Sequence, residues 1–481
     1  MLFNSIEFLF FFPIVFFLYW FVFSKNLKIQ NLLILFSSYI FYAWWDWRFL
    51  ILIFISSLSD YYIGLFIYNS SSKKNKGKAL KLSLIVNVGV LLIFKYFNFF
   101  IENFILVLEN LEISYHITLL NIILPVGISF YTFQTLSYSI DIYNGKMKAT
   151  KDYIAFFSFV AFFPQLVAGP IERAKNLLPQ FLNKRKFEYQ FAVSGSRLIL
   201  IGLLKKMVIA DNLAVLVDTV YANPNDFLGF PSLLATIFFT FQIYCDFSGY
   251  SDIAIGTSRL FGFDLKQNFA NPYFSRDIAE FWRRWHISLS TWFRDYLYIP
   301  LGGSRVGTWM KVRNTFVIFL VSGFWHGANW TFIIWGALNA IYFIPLLLTN
   351  NNRKNLDVVA QGRRLPTLKE ILEMLTTFTL TVFAWIFFRS ENLGHAYSYV
   401  AGIFSKSFFN TPSFSAKKTD VLITLFLIVF FLFIEWINRS NKHGLFKISN
   451  NNTLRRAIYF ILMFLIITHI SSQKEFIYFQ F

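Results

Sequence analysis

One cysteine, Cys245, stands in 481 residues. That scarcity excludes an intramolecular disulfide, a cysteine-based zinc site and a C-x-x-C redox pair. Its apolar neighbours favour a buried structural thiol over a nucleophile. Charge is scarce as well: Asp, Glu, Lys and Arg make up 15% of the chain, against about 25% in a globular domain. A water-facing surface cannot be built from that stock. Acids are rarer than bases, 26 against 44, which leaves a net +18. No H-E-x-x-H, P-loop, G-x-S-x-G or G-x-G-x-x-G pattern occurs, which argues against zinc hydrolysis, nucleotide hydrolysis and α/β-hydrolase chemistry. Internal repeats, long low-complexity linkers and a separately folding soluble domain are also missing.

What is abundant is apolar: 56% of residues are hydrophobic, and 64 are Phe. The bilayer must therefore serve as solvent for much of the chain. A spanning helix needs about 20 mostly apolar residues, and basic loops stay in the cytoplasm. The apolar run from Phe8 to Phe23 has no basic region before it and no small-residue cleavage site after it, so a cleavable signal peptide is not expected. Lys25 and Lys28 follow that run, which places the N-terminus outside. Ile29 to Trp45 then leads out to an aromatic belt at Trp44, Trp45 and Trp47, and Phe49 to Tyr68 returns to the cluster Lys73, Lys74, Lys76, Lys78 and Lys81. Leu82 to Phe100 goes out, and Ile117 to Ile140 comes back.

The run Tyr153 to Gly169 has basic flanks on both sides and contains Pro164, so it reads as a re-entrant hairpin. Broken backbone of that kind survives at membrane depth only where protein or a cavity shields it. From Phe191 the chain goes out and from about Phe227 it returns; Lys205 and Lys206 interrupt the outward stretch without an evident role. A long polar segment from about Asp246 to Arg313 follows, then the apolar stretch Asn314 to Asn350. Ile371 to Phe388, Val421 to Ile437 and Ala457 to Ile470 complete the set. The expectation is an all-α polytopic membrane protein of about 11 to 12 transmembrane helices plus the hairpin. It is read as one membrane domain over 1–481, and the excess positive charge as a topology signal without a nucleic-acid partner.

Within FWRRWHISLSTWFRDYLYIPLGG, Phe281, Trp285, Leu289, Trp292 and Tyr296 share one helical stripe, with Arg283, Ser290 and Arg294 nearly opposite. This predicts an amphipathic interfacial helix that ends at Pro300, Gly302 and Gly303. Its arginines suit either lipid headgroups or the phosphates of an anionic donor. For the second role Arg283, Arg284, Arg294 and Arg305 are the candidates, since a guanidinium fork matches phosphate geometry. His286 lies on the flank of this helix.

His326 stands alone in a stretch free of charged residues between Arg313 and Arg353. That stretch can make two passes, with a turn within Gly327, Ala328 and Asn329. Counting from Asn314 puts His326 about 18 Å along a helix at 1.5 Å per residue, past the midplane of a core about 30 Å thick. An ionisable group at that depth is a functional-site candidate by default. Gly323, Gly327 and Asn329 around it favour an open, polar pocket over plain packing. His116, His395, His443 and His469 lack a partner at metal-ligand spacing, and no metal site is expected.

These residues carry a resemblance. FWHGANWTFIIWG, EFWRRWHISLSTWFRDYLYIPLGG, QIYCDFSGYSDIAIGTSRLFGFDLKQNFANPYFSRDI, ILPVGISFYTFQTLSYSIDIYNG and FFPQLVAGPIERA occur in order. Together they resemble the membrane-bound O-acyltransferase family, nearest its bacterial alginate and peptidoglycan O-acetyltransferases. The resemblance implies a core of about 120–350 around a funnel, with peripheral helices 1–119 and 351–481, in a bacterial cytoplasmic membrane. It implies that His326 is catalytic and His286 the second functional histidine. The donor would be acetyl-CoA or an acyl-carrier thioester arriving from the cytoplasm, with no tightly bound cofactor. The acceptor would be an extracytoplasmic polysaccharide, reached directly or through a partner acetyltransferase. A neutral imidazole suits removal of a hydroxyl proton, and Asn329 or Trp325 could steady the oxyanion or the imidazole. The competing class is a transporter or flippase for a lipid-linked glycan, since a polar group at the midplane also marks substrate pathways.

Overall fold

The computed structural model describes every residue apart from His116, Asn121, 410–417, 442–450, 470–475 and 478–481. His116 and His443 thus lie outside the described residues. Two units divide the chain: Met1–Gly195 with Thr257–Leu265, and Ser196–Gly256 with Lys266–Phe481.

The first unit holds α1 (Ile6–Phe17), α2 (Leu27–Asp46), α3 (Leu50–Asn69), α4 (Lys73–Leu91), α5 (Phe97–Asn110), α6 (Ile128–Tyr143), α7 (Tyr153–Val160), α8 (Phe163–Leu166) and α9 (Ala174–Leu182). Asp46 is extended and caps the turn Trp47–Phe49, so the chain reverses within the expected aromatic belt. The span expected over Ile117 to Ile140 starts late. Gly127 is left-handed at φ 75° and α6 begins only at Ile128; Pro125 has no N–H to give a helix, and a side chain at Gly127 would strike the carbonyl of Leu166 at 2.7 Å. The Tyr153–Gly169 segment does break, into α7 and the single turn α8, and residues from Ile154 to Ile171 are buried throughout. Protein shields its broken backbone, as a hairpin at membrane depth requires. A polar knot closes α3, α4 and α6: the buried Asp60 accepts from Ser83 and Ser139 at 2.5 Å and from Asn87 at 2.6 Å.

The second unit contains most of α10 (Tyr189–Leu203), then α11 (Asp211–Ala222), most of α12 (Phe230–Leu260), α13 (Ile278–Arg284), α14 (Ile287–Phe293), α15 (Thr308–His326), α16 (Trp330–Leu348), α17 (Leu368–Arg389), α18 (Leu393–Ile403), α19 (Lys418–Asn438) and α20 (Asn452–Thr468). A π-helical stretch, Leu204–Ala210, joins α10 to α11. It turns both lysines inward. Lys205 pairs with Asp252 at 2.9 Å, and Lys206 with Asp211 and Asp246 at 2.8 and 2.9 Å.

Those partners explain a correction. The polar segment expected from Asp246 is helix as far as Leu260, because its polar residues Asp246, Ser248, Ser251 and Ser258 are buried and not solvated, with Asp246 paired to Lys206 and Ser251 accepting from Asn268. A second correction concerns 281–303, which is not one helix. It forms α13, α14 and a π-helical turn at Arg294–Tyr298, broken where His286 takes φ 41°. Nor does α13 lie on a surface: Ile278, Ala279, Glu280 and Phe281 are all buried, and Trp282 donates to Asn339 halfway along α16 at 3.2 Å.

Six helical stretches among the described residues are long and apolar enough to cross a membrane: Leu27–Asn69, Lys73–Asn110, Phe230–Leu260, Trp330–Leu348, Leu368–Arg389 and Val421–Asn438. The first of these contains the turn at Trp47–Phe49. Others of the expected passes are too short, or interrupted by π-helical turns and paired polar residues, to stand as uniform apolar helices. The chain is a multi-pass, all-α membrane protein.

Candidate active site

α15 and α16 form an antiparallel pair joined by Gly327–Asn329, within the turn expected. Their backbones meet through glycines. A Cβ on Gly323 would lie 2.2 Å from the carbonyl oxygen of Phe332, and one on Gly336 would lie 2.3 Å from that of Phe319. Gly327 is extended and admits the ring of Phe332, 2.1 Å from where its Cβ would stand. These glycines serve close packing, as small residues do where helices meet in membranes, and not the open pocket expected around the histidine.

The pairing puts His326 at the last turn of α15, 7% exposed. Its ring stands edge-on to Trp335 at 5.2 Å and against Phe388 at 5.4 Å. Trp335 stacks on Trp385 of α17 at 5.7 Å, and Trp385 meets Trp285 at 5.1 Å. Trp285 immediately precedes His286. Three tryptophans therefore form one wall that runs from the first histidine to the backbone of the second.

His286 is 2% exposed. Its ring is edge-on to Phe247 of α12 at 4.6 Å and roughly parallel to Phe269 at 6.3 Å. Nδ1 lies 3.1 Å from Oδ1 of Asn268. Burial pushes this imidazole well below the usual histidine value, and a charge on His326 would push the same way. A non-glycine residue at φ 41° costs about 1 to 3 kcal/mol, so the surrounding bonds must over-determine it. They do: Ala270 N–H donates to Arg284 O, and Ile287 N–H to Asn268 O, both at 2.9 Å.

The other expected site residues are dispersed. Asn329 is the N-cap of α16, accepting from Thr331 N–H, while its amide donates to the Glu391 carbonyl at 2.6 Å. Trp325 is half-buried on α15. Arg283 donates to the carbonyls of Asn352 and Asn355 at 2.9 and 2.7 Å. Arg284 donates to Glu280 and to the carbonyls of Ala270 and Asp357. With Arg276, which pairs with Glu280 and Asp357, they fasten the connection between α16 and α17 to α13. Arg294 is exposed beside Asp295 at 2.7 Å, and Arg305 is exposed.

Sequence reasoning missed Asn268, Trp335, Trp385 and Phe388. A tryptophan in an apolar run reads as lipid-facing belt or core; the signal available was that Trp285, Trp335 and Trp385 are among the largest fully buried side chains, which only the fold displays.

The model of the membrane-bound O-acyltransferase family matches residues 39–388, a range that contains both histidines, the tryptophan wall and Asn268. The chain is 38% identical, over its full length and that of the relative, to a Pseudomonas putida protein named probable alginate O-acetylase AlgI. It is 36% identical to the Helicobacter pylori peptidoglycan O-acetyltransferase, across 84% of this chain and 80% of the relative. To the Bacillus subtilis teichoic acid D-alanyltransferase it is 29% identical, across 57% and 71%. These relatives are named for acetyl or D-alanyl transfer and none for transport, which favours the enzyme over the transporter alternative. A chain matched by this family along residues 39–388, and by a relative along its whole length, with an all-helical membrane fold, belongs to the membrane-bound O-acyltransferase family and is an acyltransferase.

Proposed function

We propose that the protein moves an acetyl group from a cytoplasmic thioester, acetyl-CoA or an acyl carrier, to a hydroxyl of an extracytoplasmic polysaccharide, or of a relay protein that passes the acetyl group on. It does so in a bacterial cytoplasmic membrane. The observation that carries the reading is the pairing of His326 and His286 at the two ends of the Trp335–Trp385–Trp285 wall. The names of the full-length and near-full-length relatives support acetyl as the group and a sugar hydroxyl as the acceptor.

In this reading the acceptor oxygen attacks the thioester carbonyl carbon while a nitrogen of His326 takes the hydroxyl proton. The C–O bond forms, the tetrahedral intermediate collapses, and the C–S bond breaks. The proton held by His326 goes to the leaving thiolate, so atoms and charge balance. Trp335 and Phe388 exclude water from the imidazole, which keeps the thioester from hydrolysis. Arg294 and Arg305 are the guanidinium groups left to meet donor phosphates, because Arg283 and Arg284 are committed to backbone carbonyls and Glu280.

The test is the full chain in proteoliposomes with labelled acetyl-CoA and a polysaccharide acceptor. His326→Ala lowers transfer by at least about 10²-fold. Near-normal transfer by a folded His326→Ala protein would overturn the assignment.

A further inference from the structure

We propose that Asn268 is a positioning residue for the acyl-transfer reaction: it holds His286 as the tautomer protonated on Nδ1, so that Nε2 presents the reactants with a lone pair and not a proton. The inference rests on the reading of His286 as a site residue.

The geometry fixes the proton's place in two steps. Oδ1 of Asn268 accepts from the backbone N–H of Ser288 at 3.2 Å and from its hydroxyl at 2.9 Å. A backbone N–H can only donate, so the amide atom facing it is the oxygen and the Asn268 side chain cannot be flipped. The same oxygen lies 3.1 Å from Nδ1 of His286. An amide oxygen has no proton to give, so Nδ1 carries one, and in a neutral ring Nε2 then carries none.

The clamp is held from both sides. Nδ2 of Asn268 donates to Ser251 of α12 at 3.1 Å, and Asn268 itself is 1% exposed. Its backbone carbonyl accepts from Ile287, so one residue grips 286–288 by main chain and side chain together. That grip accounts for a histidine resting at φ 41°. The rings packed on His286, Phe247 and Phe269, are uncharged, and Asn268, Ser251 and Ser288 do not titrate. Among the described residues His326 is the titratable group whose charge reaches it. The acids on α12, Asp246 and Asp252, are paired with Lys206 and Lys205. A bare imidazole nitrogen in this setting fits two hydrogens of the reactants: the hydroxyl hydrogen of the acceptor, or an amide N–H of the donor.

Two measurements test this. In the full chain in bilayers, ¹⁵N-histidine NMR has six residues to resolve, and His286→Gln identifies the signal. The expected result between about pH 6 and about pH 8 is a protonated Nδ1 and a bare Nε2; an Nε2-protonated ring or an imidazolium overturns the proposal. The second measurement is the pH dependence of transfer from labelled acetyl-CoA. Asn268→Ala loses up to about 10²-fold as the ring is freed. Asn268→Asp keeps the geometry but sets a carboxylate beside Nδ1–H, which favours the imidazolium and moves the acid limb of the profile up by about 1 unit or more. A purely structural asparagine would lower the rate equally at every pH, so an Asn268→Asp profile that superimposes on the wild type also overturns the proposal. A fully active His286→Gln protein would instead sink the reading of His286 as a site residue. An inactive His286→Gln with an unaltered Asn268→Ala sinks Asn268 alone.

Discussion

Four arginines lie close together in sequence, and their surroundings divide them. A guanidinium that already donates to two carbonyls in fixed directions, as Arg283 does to Asn352 and Asn355, has little left for a phosphate. Arg294 and Arg305, both exposed, can turn toward one. This predicts a split. The double substitution Arg294→Gln and Arg305→Gln raises the KM for acetyl-CoA by about 10-fold with kcat little changed, the pattern of lost uniform binding. Arg283→Gln instead lowers stability by about 1.5 to 3 kcal/mol, the worth of a charged hydrogen bond, and leaves the donor KM where it was. Thermal unfolding in lipid and donor titrations separate the two; a raised KM with an unchanged unfolding midpoint would return Arg283 to the substrate. The amino-acid sequence offers all four arginines as phosphate candidates and cannot rank them, because the partners of Arg283 come from 69 and 72 residues away.

At the scale of elements, the hairpin α15–α16 depends on three glycines that act in different ways. A methyl at Gly323 meets a carbonyl oxygen of the opposite helix, which cannot step aside. A methyl at Gly327 meets first the Phe332 ring, a side chain that a smaller residue can replace. Overpacking of either kind costs about 1 to 3 kcal/mol, and each displaces His326. The expected result is that Gly327→Ala is rescued by Phe332→Leu in stability and transfer rate, whereas Gly323→Ala is not. Rescue of both, or of neither, would show that the clash distances do not govern the pair. The turn at Gly327–Asn329 was legible because a charge-free stretch long enough for two passes carries its small and capping residues at the centre. Two other elements were not legible. The second half of α12 reads only as the start of a long polar segment until Lys206 and Asn268 are known to meet Asp246 and Ser251. The break at His286 leaves the 3.6-residue stripe intact on either side, and it is the distant Asn268 and Ala270 that hold it.

For the whole molecule the question is which way it faces, and the charge of the second unit supplies a prediction. At one end Arg276, Arg283, Arg284 and Arg439 fasten the 349–367 connection, which itself carries Arg353, Lys354, Arg363 and Arg364. At the other end Asp218 pairs with Arg389, and Glu391 receives Asn329 beside the His326 turn. Under the positive-inside rule the proposed function has the first end in the cytoplasm, on the side of the proposed thioester donor, and the His326 turn toward the outside, on the side of the proposed acceptor. Helix lengths agree, since the rise from Arg313 to His326 is about 20 Å at 1.5 Å per residue. The molecule offers a clean test because its single cysteine, Cys245, is fully buried. Introduced one at a time into intact cells, Asn225→Cys, Trp330→Cys and Glu391→Cys should react with a membrane-impermeant maleimide, while Lys354→Cys and Lys74→Cys react only after the membrane is opened. All five positions lie clear of the protein interior, and labelling after the membrane is opened with detergent separates a silent position on the far side from one that does not react at all. Labelling of Lys354→Cys from outside would reverse the second unit and place the His326 turn on the donor side, and the direction of acyl transfer proposed for the site would fall with it.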